Sequence, residues 1–130
     1  MENRKFILSA IYWHELSGKL DTLRIEDVLN EHINLSDYGS GVERIHFTFM
    51  AVRPSNTIHE NEARYDRKTK TIEMALKLSY EHVVAADEDG VWEMMWGLFV
   101  VGIDLYGGMG VVGFDVDLFR DEVKKIVGAL

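Results

Sequence analysis

The sequence predicts a single α+β domain in which a run of strands precedes a run of helices. Two segments alternate apolar and polar side chains with the two-residue period of a strand, and two later segments repeat apolar residues at helical spacing. Strands grouped before helices are typical of the α+β class. Since 130 residues suit one core better than two, residues 1–130 are expected to form one domain. We predict an antiparallel sheet of about four strands, with two C-terminal helices packed on one face.

The first element, Phe6–Trp13, is compatible with two structures. Its β-branched and aromatic residues favour a strand, whereas Phe6, Ala10 and Trp13 also have helical spacing, so both structures remain open. A short amphipathic helix is predicted after it, with apolar residues at Ile25, Val28, Leu29 and Ile33.

The predicted sheet continues with two long strands and a short one between them. In Arg44–Val52 the residues Ile45, Phe47, Phe49 and Ala51 share one face, and His46, Thr48 and Met50 share the other. In Lys70–Tyr80 the inward set is Ile72, Met74, Leu76, Leu78 and Tyr80. Glu62–Asp66 is predicted as a strand that enters a hairpin with its turn at residues 67–70. This alternation fits an antiparallel sheet with one solvated face.

Two further helices are predicted in the C-terminal part. The first begins near Asp89 as N-cap and is apolar on nearly all sides, which indicates a helix buried against the sheet. Gly97 and Gly102 within it would permit close backbone approach. The second helix starts at Asp115, another N-cap candidate, and carries Phe119, Val123, Ile126, Val127 and Leu130 on one stripe.

The net charge of −8 excludes some classes of partner and is concentrated in one part of the chain. Acidity argues against binding to nucleic acid or anionic lipid, because both need Lys and Arg. Residues 1–80 have a net charge of −1 and residues 81–130 a net charge of −7. The densest stretch has five acids and no base: Glu81, Asp87, Glu88, Asp89 and Glu93. It is either a solvated face or a surface that attracts a basic partner.

Motifs for catalysis, cofactors and metals are weak. Gly108–Gly113 matches G-x-G-x-x-G, but only 17 residues follow it, too few for the helix and second strand of a dinucleotide fold. Neither the spacing of the five histidines nor the absence of cysteine suggests a metal site, so we expect no metal, no cofactor and no disulfide. Asp104 in an apolar helix needs a partner if it is buried, or it faces water at the helix end.

The segment between Tyr65 and Phe119 resembles the small immunity proteins of bacterial polymorphic-toxin systems. The similarity lies in the run from Tyr65 to Glu73, in Leu78-Ser-Tyr-Glu81, in a long helix ending at Gly102-Ile103, and in Phe114-Asp115. It implies a non-catalytic cytoplasmic protein that binds a cognate toxin domain and occludes it. Many such toxins are nucleases with basic sites, which an acidic surface would complement.

The leading hypothesis is therefore an immunity protein that binds a basic toxin domain through Glu81, Asp87, Glu88, Asp89 and Glu93, with nearby aromatic residues. One alternative is a small enzyme with a scattered site, for which Asp104 and His82 are the first candidates. Another is a structural subunit that self-associates through a sheet edge or an apolar helix, and the choice between monomer and homodimer remains open. The longest apolar run, Met94–Ile103, is about half a membrane span, and no signal peptide is predicted.

Overall fold

The protein folds as four strands followed by three helices, with one helix inserted after the first strand. The structure, a computed structural model, describes residues 5–11, 21–52, 62–106, 111 and 113–129. Its elements are β1 (Phe6–Ile11), α1 (Thr22–His32), β2 (Arg44–Val52), β3 (Glu62–Asp66), β4 (Thr71–Ser79), α2 (Tyr80–Ala85), α3 (Glu88–Tyr106) and α4 (Val116–Ala129), with a 3₁₀ turn at Leu35–Tyr38. The predicted α+β class and the predicted order are confirmed, and α2 is an additional helix. The ambiguous first element is a strand as far as Ile11.

The sheet is mixed, so the prediction of a wholly antiparallel sheet was wrong. The strand order is β1-β2-β4-β3. The pairs β1–β2 and β2–β4 are parallel, and only the predicted β3–β4 hairpin is antiparallel. A parallel pair needs a crossover of a dozen or more residues, and the connection that contains α1 supplies it between β1 and β2. Alternation of side chains identifies the two faces of a strand but does not indicate whether the strand runs parallel or antiparallel to its neighbour.

Helices cover one face of this sheet, as the alternation predicted. The inward residues of β2 and β4 are buried: Ile45, Phe47, Phe49, Ala51, Ile72, Met74, Leu76 and Leu78. Towards α4, Phe119 stacks on Phe6 of β1 with ring centroids 6.1 Å apart. On the opposite face His46, Thr48 and Glu73 are partly exposed, although Met50 on that face is buried.

Close approach between α3 and the sheet depends on one of its two central glycines. A Cβ atom on Gly102 would lie 2.8 Å from Leu76 Cδ1 and 2.9 Å from Phe47 Cε2, so any larger residue would clash. A Cβ on Gly97 would meet no atom of the described residues within 4 Å. The prediction of close approach is therefore confirmed at Gly102 and wrong at Gly97.

The outer edge of β1 is closed by two polar side chains from α1. The Asn30 amide accepts hydrogen bonds from the backbone N–H groups of Lys5 (3.1 Å) and Phe6 (3.0 Å) and donates one to the Phe6 carbonyl (2.9 Å). One turn earlier, Glu26 Oε1 accepts from the Leu8 N–H at 2.9 Å. These side chains occupy the positions of a missing strand, so the N–H groups of Lys5, Phe6 and Leu8 and the carbonyl of Phe6 are hydrogen-bonded at this edge.

The caps of the two C-terminal helices follow the sequence with one correction. Asp115 caps α4 as predicted, because its Oδ1 accepts from the Leu118 N–H at 3.1 Å. The N-cap of α3 is Asp87 rather than Asp89, since Asp87 Oδ1 accepts from the Gly90 N–H at 2.8 Å and the helix already begins at Glu88. The capping carboxylate of α3 lies three residues before the N–H that it binds. Because several acids lie side by side in this stretch, the sequence alone does not identify which of them is the cap.

Two tyrosines near turns, Tyr38 and Tyr65, are integrated into the fold. Tyr38 is 9% exposed and meets the ring of Phe119 edge-on at 5.4 Å. Burial, followed by the nearby negative charges of Glu122 and Asp37, raises the pKa of its hydroxyl above the ordinary value. Tyr65 is half-buried and donates a hydrogen bond to the Gly41 carbonyl.

Candidate partner-binding surface

The five acids that the sequence singled out lie at the corner where α2 passes into α3. Glu81 is in the first turn of α2, Asp87 is the N-cap of α3, and the other three lie in the first two turns of α3. All five are exposed: Glu81, Asp87, Glu88, Asp89 and Glu93. We call this set the acidic corner. It offers a dense negative surface without a Lys or Arg in residues 81–93.

Local structure explains why acids are tolerated at this corner at such density. The first N–H groups of a helix point outward and carry partial positive charge, which carboxylates stabilise. Glu88 and Asp89 occupy the first turn of α3, and Asp87 binds one of those N–H groups directly. Part of the acidity therefore has a structural role, and Glu93, one turn further on, does not share it.

A groove bordered by two tryptophans opens beside the acidic corner. It encloses about 640 Å³ between α1, α3 and α4. Its lining residues are Arg24, Asp89, Trp92, Glu93, Trp96, Gly97, Val100, Lys124 and Val127. We call it the tryptophan groove. Asp89 and Glu93 belong to both the groove and the acidic corner, so the two form one continuous surface.

The walls of the tryptophan groove are ordered by aromatic contacts. Trp92 and Trp96 meet edge-to-face with ring centroids 5.6 Å apart, and the guanidinium of Arg24 lies 4.0 Å from the centroid of the Trp92 ring. Trp96 is 1% exposed, whereas Trp92 is only half-buried. Trp96 is therefore a core residue, whereas Trp92 also contributes to the surface.

Basic residues gather at a different end of the sheet. Lys5, Arg44 and Lys70 stand where the parallel strands β1, β2 and β4 begin, and they line one depression together. The acidic corner, in contrast, follows the end of β4 through the short helix α2. In the turn predicted at residues 67–70, Arg67, Lys68 and Thr69 are exposed.

The two residues considered for a small enzyme, Asp104 and His82, differ in their surroundings. Asp104 is half-exposed on α3 and accepts a hydrogen bond from Arg120 Nη1 at 3.3 Å. His82 is exposed on α2. In the part of the chain that the structure describes, no three His, Asp or Glu side chains come together as a metal site would require.

The open face of the sheet brings a serine, a histidine and a glutamate into one shallow depression. Ser9, His46 and Glu73 all line it. The Ser9 hydroxyl pairs with Thr48 at 3.1 Å, and His46 Nδ1 is 3.9 Å from Glu73 Oε1, which is too long for a hydrogen bond. Among the described residues, His46 Nε2 has no hydrogen-bond partner, so a nucleophile-to-base contact is not formed.

Comparison with known proteins decides the family. The family model of Immunity protein 44 matches residues 4–129, which is nearly the whole chain. The chain belongs to this immunity protein family. Neither the curated proteins nor the solved structures gave a match.

Family membership confirms the resemblance seen between Tyr65 and Phe119 and extends it to the N-terminal third, where no resemblance was recognised. It covers all the elements described above, including α1, which closes the β1 edge and contributes Arg24 to the tryptophan groove. Within the described residues, none of the helices is long and apolar enough to cross a membrane.

Proposed function

We propose that this member of the immunity family neutralises a cognate toxin, without catalysis, by binding the toxin domain through the acidic corner. The observation that carries the proposal is the exposure of all five carboxylates at one corner of the fold. Exposed charges of one sign raise the rate at which an oppositely charged partner meets the right surface. The toxin would therefore present a basic face, as the phosphate-binding site of a nuclease does. Such an inhibitor would act in the cytoplasm, where the toxin's targets lie.

The separation of charge across the molecule supports this orientation. Lys5, Arg44 and Lys70 lie where the parallel strands begin, and the acidic corner lies beyond the end of β4. A partner with a basic site is attracted to one end and repelled from the other, so its approach is oriented before contact. Arg24 lines the tryptophan groove together with Asp89 and Glu93, so its positive charge offsets part of theirs, whereas Glu81, Asp87 and Glu88 do not line that groove.

The test neutralises charge without removing the helix cap. In the triple variant Asp87→Asn, Glu88→Gln and Asp89→Asn, asparagine keeps a capping oxygen at residue 87, so α3 retains its start. The matched control removes three exposed carboxylates from other places, with Glu31→Gln, Asp37→Asn and Glu43→Gln. Both variants have the same net charge, and only one alters the acidic corner.

The probe is the toxin domain encoded by the neighbouring gene, inactivated at its own catalytic site, and the measurement is the association rate over a range of salt concentration. We expect the wild-type rate to fall steeply with salt, and the corner variant to associate about tenfold more slowly at low salt with a shallower salt dependence. The control should stay within about twofold of wild type. Equal association rates for the two variants would refute the acidic corner as the binding surface.

A further inference from the structure

Gly97 forms part of the tryptophan groove, at a position where the described residues show no packing contact that requires a glycine. Glycine is less favourable than every residue except proline in the interior of a helix. At Gly102 the close contact with Leu76 and Phe47 explains it, but a Cβ atom at the exposed Gly97 would meet no atom of another described part of the chain within 4 Å. The absence of a side chain keeps the middle of the groove open between Trp96 and Val100. Among the described residues, no packing contact accounts for the glycine at this position.

The same groove contains a second unfavourable feature of the free protein. The indole Nε1 of Trp96 is buried and has no hydrogen-bond acceptor among the described residues. A buried indole N–H normally has an acceptor, because leaving it unpaired is unfavourable. Because Trp96 is only 1% exposed, a partner would reach this N–H only if the side chains around the groove moved. A helix glycine without a packing partner and an unpaired indole therefore occur together in one groove.

We propose that the tryptophan groove receives an anchor from the toxin: a large apolar side chain seated over Gly97, followed in the toxin by a Lys or Arg that pairs with Asp89 and Glu93. This inference rests on the proposed function and gives the chemistry of the partner at that surface. An apolar anchor suits the tryptophan groove because apolar side chains line it: Trp92, Trp96, Val100 and Val127. Aromatic-lined pockets that take up such anchors are where binding free energy concentrates in protein interfaces.

The charges on the two sides of the groove set the orientation of the anchor segment. Asp89 and Glu93 lie on the α3 side, one turn apart on the same face of the helix, and Lys124 lies on the α4 side. A toxin cation is attracted to the α3 side and repelled by the α4 side. Arg24 already lies over the Trp92 ring, which holds that ring in place and leaves the region over Gly97 as the open position.

The experiment introduces side chains at Gly97 that would occupy the tryptophan groove. A Cβ at residue 97 meets open space, so Gly97→Ala should be tolerated and should raise the midpoint of thermal unfolding, because alanine favours the helix. Gly97→Leu extends from the same exposed position into the groove, and its fold is checked by circular dichroism before binding is measured. The control is Gly128→Leu, the same change at an exposed α4 glycine with open space around it that does not line the groove. The probe is the same inactivated toxin domain, and the measurement is its dissociation constant and dissociation rate.

We expect the dissociation constant to rise by roughly tenfold or more for Gly97→Leu, by less for Gly97→Ala, and by no more than about twofold for Gly128→Leu. On the rim, Glu93→Gln should weaken binding, whereas Lys124→Gln should leave it unchanged or strengthen it. If wild type binds the toxin and a folded Gly97→Leu binds equally well, the groove proposal is wrong and the proposed function stands. If wild type does not bind the toxin domain, both are wrong.

Discussion

The substitution Asn30→Ala tests whether a side chain on α1 replaces a missing strand at the edge of the sheet. The Asn30 amide makes four hydrogen bonds: it accepts from the N–H groups of Lys5 and Phe6, and it donates to the carbonyls of Phe6 and Glu26, each at 2.9–3.1 Å. All the hydrogen-bonding capacity of the amide is used. Alanine removes all four contacts and leaves both backbone groups of Phe6 without these partners.

The expected loss follows from counting those contacts. Each hydrogen bond contributes a net stabilisation of about 1 kcal/mol, and several of the groups left behind are buried. The free energy of unfolding of Asn30→Ala should therefore be lower by ~2–4 kcal/mol. The higher helix propensity of alanine returns about 0.5 kcal/mol. At ~3–5 °C per kcal/mol for a domain of this length, the midpoint of thermal unfolding should fall by ~5–15 °C.

The assay is urea unfolding followed by far-UV circular dichroism, with Asn34→Ala as the matched control. Asn34 is exposed, and among the described residues its side chain bonds to the N–H (3.2 Å) and hydroxyl (2.9 Å) of Ser36 in its own turn, so Asn34→Ala should lower the free energy of unfolding by about 0.5–1 kcal/mol. The midpoint of Asn30→Ala should shift further at an unchanged m-value. If the two variants lose the same stability, closure of the β1 edge by Asn30 is not a significant source of stability.

Three other changes test particular contacts. Gly102→Ala should destabilise by about 1–3 kcal/mol in urea unfolding, because its Cβ would clash with side chains of the sheet; a gain would contradict the close approach. Tyr38→Phe should reduce the loss of stability above pH 10: the raised pKa means that the folded chain holds this proton more tightly than the unfolded chain, so wild-type stability falls as pH rises past the ordinary tyrosine value. Arg120→Ala should lower the thermal midpoint less in high salt than in low salt, because Arg120 is ion-paired with Asp104, and a salt-independent loss would contradict this.

The sequence predicts the faces of the fold well and its connections poorly. Periodicity of two identified the buried residues of β2 and β4, such as Phe47 and Leu76, because burial is a property of each residue's own position in the pattern. Strand direction depends on which segments meet in space, which alternation does not encode. The bonds of Asn30 to β1 join residues 24 and 25 positions apart, so the apolar stripe of α1 gave no indication of them.

For the candidate site, the sequence identified the charge and missed the groove. Asp89 and Glu93 stood out because five acids occur without a base, which is visible in one dimension. The groove requires Arg24 from α1 and Lys124 from α4 to come together beside α3, and only the fold brings them there. The residue that could have indicated the groove is Gly97, a helix glycine on a different face from Gly102. The sequence alone, however, does not distinguish a glycine that allows close packing from one that leaves a space open.

The acidic corner and the tryptophan groove are expected to affect different steps of binding, association and dissociation respectively. Exposed charges act before contact, so neutralising Glu88 should lower the association rate and its salt dependence with little effect on dissociation. An anchor seated over Gly97 acts only after contact, so Gly97→Leu should accelerate dissociation and leave the salt dependence of association unchanged. Because the two residues influence different steps, the double variant Glu88→Gln/Gly97→Leu should show the sum of the two changes in binding free energy. If Gly97→Leu instead slows association and leaves dissociation unaltered, an anchor held in the groove is ruled out.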